Sequence, residues 1–132
     1  MSAVKLDDLI AQMENYLECW KQFNQYFAQA RTKKFEPEDE TQFLEIKSVL
    51  TQELELILAS VQVENPSKDD IVALISGAPS IRYLSELSDA ALRNLENQWH
   101  RIYIAFQSLL GQLKVQQRQT GKKGLFGSFF KK

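Results

Sequence analysis

Apolar or small side chains recur at Leu6, Leu9, Met13, Tyr16, Trp20, Phe23, Phe27 and Ala30. The steps alternate between three and four, so these residues form one stripe on a helix. Ile10 and Leu17 widen the stripe beyond the narrow seam of a two-stranded coil, toward the face a bundle helix buries. The pattern ends near Arg31, where Lys33 and Lys34 suit the negative end of a helix dipole. Pro37, followed by Glu38, Asp39 and Glu40, predicts a new helix start. Proline is tolerated there because the N–H it lacks would have no intrahelical partner.

The second helix carries Phe43, Ile46, Leu50, Leu54, Ile57 and Val61, with Leu44, Val49 and Leu58 flanking, and Asn65-Pro66 stops it. Ser67 with Asp70 three residues on predicts a capped start for a short helix containing Ile71, Leu74 and Ile75. Gly77 and Pro79 close it, and residues 80–87 hold another helical turn or two. Ser88 is a good N-cap for a last long helix, with Leu87 and Leu92 placed for a hydrophobic staple. From there Leu92, Leu95, Trp99, Ile102, Phe106, Leu109 and Leu113 repeat without interruption, the strongest periodic signal in the chain. Gly111 within this run costs about 1 kcal/mol relative to alanine, and it marks either close packing or early fraying. No alternating strand pattern of useful length competes.

The expected fold is therefore all-α. Residues 1–115 form an antiparallel helical bundle of three long helices plus one or two short ones, and residues 116–132 form a flexible basic and aromatic tail.

Composition narrows the functional classes. At 132 residues, with 44% apolar and 25% charged positions, the chain suits one globular domain. Its single cysteine, Cys19, rules out an intramolecular disulfide and fits a reducing compartment. The start MSAVKLDDLIAQ lacks the pattern of a signal peptide, and no run of about 18 apolar residues occurs. The expected location is cytoplasmic, with peripheral attachment at the inner membrane surface compatible with it. The net charge of −1 conceals a segregation: from Lys114 onward there are six basic residues and no acidic ones, which leaves ten basic against 17 acidic before it. Such an arrangement bears on partners and association, not on the fold.

Candidate chemistry in the bundle is sparse. A di-iron carboxylate site needs Glu-x-x-His on two helices, but the single histidine, His100, is preceded at that spacing by Asn97. One cysteine and one histidine cannot supply a zinc ligand set, so no metal and no cofactor is expected. Cys19 and His100 flank the core positions Trp20 and Trp99, which favours a packing cysteine and a surface histidine over a nucleophile–base pair. In RNLENQWH, Arg93, followed by the polar Asn94, precedes His100 by seven residues, about two turns, which puts Arg93 and His100 on one helix face. An arginine, an adjacent polar residue and a histidine on a helix resemble the motif of HEPN ribonucleases, which are small all-helical proteins. The resemblance implies metal-independent RNA cleavage, with His100 acting at the 2′-hydroxyl or leaving group and Arg93 stabilising phosphate charge. The competing reading is a solvated helix face.

The remaining signal is the terminal KKGLFGSFFKK. In helical register Leu125, Phe126, Phe129 and Phe130 fall within an arc of roughly 140°. Gly124 and Gly127 weaken such a helix in water, so the segment is expected to order on a surface, tethered by the apolar-free QQRQTGKK. A basic, aromatic segment suits an anionic membrane interface or a groove on a partner protein. The expected function is that of a non-enzymatic adaptor that binds through Lys122, Lys123, Leu125, Phe126, Phe129, Phe130, Lys131 and Lys132. Packing of these phenylalanines back onto the bundle is the competing outcome. Nucleic acid is disfavoured because the body is acidic, and exposed helix stripes leave room for a homo-oligomer.

Overall fold

The structure, a computed structural model, describes residues 3–61, 63 and 67–130, with side chains described for 5–61, 63 and 67–119. These residues form five helices: α1 (Ala3–Thr32), α2 (Pro37–Ser60), α3 (Lys68–Ser76), α4 (Ile81–Ser85) and α5 (Asp89–Phe130). The all-α expectation holds, with three long helices and two short ones.

The helix boundaries follow from local chemistry. Pro37 opens α2, and the amide of the preceding Glu36 donates to Asp39 Oδ2 at 2.8 Å, which satisfies a donor at the helix start. Ser67 accepts from the Asp70 amide at 3.1 Å, Ser80 from Tyr83 at 3.0 Å and Ser88 from Ala91 at 3.1 Å, so each serine caps the helix that follows it. At the end of α1, Lys33 adopts a positive φ of 57°. This left-handed turn lets the Lys34 amide reach the Gln29 carbonyl at 3.1 Å and the Lys33 amide reach Ala30 at 3.2 Å. Gly77 caps α3 at an ordinary φ of −71°, so conformational freedom does not explain it. A Cβ there would stand 3.1 Å from the Ala73 carbonyl, so the last turn of α3 itself crowds a larger residue, with Leu95 of the last helix at ordinary contact distance, 3.4 Å.

Both α2 and α5 run antiparallel to α1. On the α2 side, Gln12 bonds Glu53, the Tyr16 hydroxyl donates to the Leu50 carbonyl at 2.7 Å, and Phe23 stacks on Phe43. On the α5 side, Asp7 accepts from Gln117 at 2.5 Å, Glu14 pairs with Lys114, and Arg31 meets Asp89 and Glu96. The short α4 packs against α1 and α2, and α3 lies between α2 and α5.

The predicted stripe of α1 is buried along its whole length, from Leu6 to Ala30, including Ile10 and Leu17. Trp20, Tyr16, Phe23, Phe27, Phe43 and Phe106 are the largest fully buried side chains. Their rings meet edge-on in several pairs, such as Tyr16–Phe106 at 5.4 Å and 86°, an orientation that sets the positive edge of one ring against the negative face of the other. The Trp20 indole N–H is buried without an acceptor, so that ring contributes by packing. From α5, Leu92, Trp99, Ile102, Phe106 and Leu113 join the core. Gly111 does not: a Cβ there would meet nothing within 4 Å, so close packing is excluded as its reason. Leu44 and Val49 lie on the solvent side of α2.

Candidate functional site

The sequence points to two places, both on α5. The first is the Arg93–His100 stretch. One turn from its start, α5 presents Arg93 to solvent, and the guanidinium donates to Asp89 Oδ2 at 2.8 Å within the same helix. The guanidinium that the ribonuclease resemblance assigns to phosphate thus pairs with a carboxylate on the helix surface. His100 is exposed, with its ring tilted against Trp99 at 6.4 Å between centroids. Trp99 itself points inward, stacked on Tyr103 at 4.8 Å. Cys19 is half-buried on α1, and burial pushes its thiol up from the ordinary value, with Glu53 and Glu18 adding to the effect. That direction favours the thiol over the nucleophilic thiolate.

The second place is the end of α5. The helix continues through the segment read as a tether and reaches Phe130. Its register is fixed as far as Gln117 by the bond to Asp7 and by the Lys114–Glu14 pair at 3.4 Å. The side chains of Lys122, Lys123, Leu125, Phe126, Phe129 and Phe130, together with Lys131 and Lys132, lie outside the described residues.

Three shallow grooves mark the described surface. One of about 480 Å³ runs between the start of α1 and the end of α2, with Leu9, Gln12 and Ala59 in its wall. Another, of about 300 Å³, lies between α1 and α5 over Leu17, Tyr103 and Leu110, with ion-paired Glu14 and Lys114 at its rim. The third, between α2 and α3, exposes Leu44 beside Lys47. Lys47 sits 5.9 Å from the Phe43 ring centroid, and burial pushes its ammonium down from the ordinary value. Among the described residues no group of His, Cys, Asp and Glu is placed to hold a metal ion. Nor, among them, is any helix long and apolar enough to cross a membrane.

A surface that the periodicity argument passed over lies on the outside of α5. Ile104 and Val115 are each 49% exposed, and Arg101 and Arg118 are exposed beside them. The buried three-four repeat draws attention to the opposite side of the helix. The available signal was the pair of β-branched apolar residues standing off that repeat.

No protein-family model, curated protein or solved structure matches the chain.

Proposed function

We propose that this protein is a non-enzymatic adaptor whose helical bundle carries a C-terminal segment, KKGLFGSFFKK, that binds an anionic membrane surface. The observation that carries this reading is the charge segregation in the sequence. Six basic and no acidic residues lie from Lys114 onward, interleaved with Leu125, Phe126, Phe129 and Phe130, behind a body with seven more acidic than basic residues. Each lysine near an anionic leaflet contributes about 1 kcal/mol, and inserted aromatic side chains add a term that needs contact. The acidic body is repelled by the same surface, so the basic segment makes the first contact with the lipid.

The packing of the body supports the reading. Among the described residues its core runs from Leu6 to Leu113. Gly127 and Gly124 make the terminal helix weak in water, which suits a segment stabilised by an interface.

The test separates the two contributions. On vesicles of phosphatidylcholine and phosphatidylserine, changing Phe126, Phe129 and Phe130 together to serine should weaken binding at every salt concentration. Changing Lys122, Lys123, Lys131 and Lys132 to glutamine should weaken it mainly at low salt and flatten the salt dependence, because only the charge term is screened. Failure of the intact protein to bind such vesicles at low salt would overturn the membrane reading. A protein groove would then be the better target, approached by comparing what the full chain and a chain ending at Gln119 retain in a pull-down.

A further inference from the structure

The bond between Gln117 and Asp7 sets which side of α5 faces α1 near the end of the bundle. At 3.6 residues per turn, the buried residues Trp99, Ile102, Phe106 and Leu113 share that side. Extending their register gives Gln117, then Thr120, Gly124 and Gly127: the apolar core stripe stops at Leu113. Opposite it, Arg101, Ile104, Gly111, Val115 and Arg118 fall within an arc of roughly 100°. All five are exposed, and a Cβ on Gly111 would meet nothing within 4 Å. In a continuous α5, positions 122, 125, 126 and 129 fall on this outer register, not on the buried one. Along one helix, the apolar positions of the sequence thus move from the register of the core stripe to the opposite register.

We infer that the membrane-binding surface is not confined to the terminal segment but runs back along the outer face of α5 to Ile104 and Arg101. This rests on the membrane reading given above and deepens it. Charge complementarity identifies the occupant. From Asn97 to the end of the chain there is no acidic residue, whereas Arg101, Lys114 and Arg118 are basic. Arg101 and Arg118 have no carboxylate partner among the described residues, in contrast to Arg31, Arg82 and Arg93, each of which does. A face with two guanidinium groups unpaired among the described residues, beside half-exposed Ile104 and Val115, matches an anionic leaflet, which takes cations at the headgroups and apolar side chains just beneath. From Ile104 to position 129 such a face is roughly 38 Å long. A helix engaged over that length lies in the plane of the membrane and so orients the bundle above it.

The experiment uses the full chain and phosphatidylcholine–phosphatidylserine vesicles. Ile104→Ser combined with Val115→Ser should weaken vesicle binding about tenfold, since part of two apolar side chains no longer leaves water. A second measurement needs no loss of binding: with Cys19→Ala, an environment-sensitive dye on Ser108→Cys should shift to the blue when vesicles are added. If the intact protein binds, the triple phenylalanine variant fails to bind, and both the serine pair and the dye report no change, the surface ends at the terminal segment. The inference is then wrong while the membrane reading stands. If the intact protein does not bind vesicles at all, the membrane reading fails first and takes this inference with it.

Discussion

The indole Nε1 of Trp99 on α5 donates to the backbone carbonyl of Trp20 on α1 at 2.8 Å, a buried bond between residues 79 positions apart. The carbonyl belongs to the middle of a helix, so it serves the α1 ladder and the indole together. The tryptophan side chain thereby fixes both the depth and the rotation of α5 against α1. Its ring also stacks on Tyr103. Trp99→Ala should cost about 3–5 kcal/mol through the cavity it leaves. Trp99→Phe, which keeps most of the packing and loses the bond, should cost about 1–2 kcal/mol. Urea unfolding of both variants checks this, and a loss under 1 kcal/mol for the alanine variant would contradict the α1–α5 packing.

Tyr16 holds the other long pair together, through its hydroxyl and the Leu50 carbonyl. Tyr16→Phe should cost about 1 kcal/mol at neutral pH. Burial raises the phenol's pKa well above its ordinary value of 10. The unfolded chain therefore releases this proton first, and the contribution from Tyr16 is complete below pH 10 and is lost as pH rises beyond it. Stability curves at pH 8 and pH 11 should show a smaller alkaline loss for Tyr16→Phe than for the parent chain. An identical loss would mean that the phenol ionises as freely in the folded protein as in the unfolded one.

Glu40 reaches from α2 to the start of α4. Its carboxylate accepts the Ile81 amide at 2.6 Å and the Arg82 amide at 3.4 Å, beside the cap that Ser80 provides. A five-residue helix has little stability of its own, so this cap helps to dock the fully buried Ile81 and Leu84. Glu40→Ala should destabilise by about 1–2 kcal/mol, whereas removal of an exposed α2 carboxylate such as Glu38 should move the unfolding midpoint very little. Equal effects would count against the cap.

Lys33 stands where many helices place glycine. Its positive φ brings its Cβ into a crowded position, for which the two turn hydrogen bonds compensate. Lys33→Gly should stabilise the protein by about 0.5–1 kcal/mol and raise the thermal midpoint. A lowered midpoint would show that the lysine side chain contributes more than the backbone strain costs.

The existence and rough limits of the helices were legible along the chain because helix periodicity and capping are local. The stripe from Leu6 to Ala30 and the run from Leu92 to Leu113 needed only 3.6-residue geometry to read, and Ser67, Pro37 and Ser88 needed only the chemistry of orphan amides. The same local reading located the basic, aromatic terminus, since composition does not depend on folding.

What it could not supply is everything set by a contact between distant residues. The bond from Trp99 to the Trp20 carbonyl, the cap from Glu40 to Ile81 and the bond from Tyr16 to the Leu50 carbonyl each join segments that no spacing rule relates. The empty space around Gly111 and the exposure of Ile104 and Val115 are of the same kind: a glycine or an isoleucine looks alike in sequence whether a neighbour covers it or not. Only the docking of α5 on α1 decides which side of that helix is core and which is left outside. Periodicity fixes the angle between side chains on one helix, but burial depends on where the other helices stand.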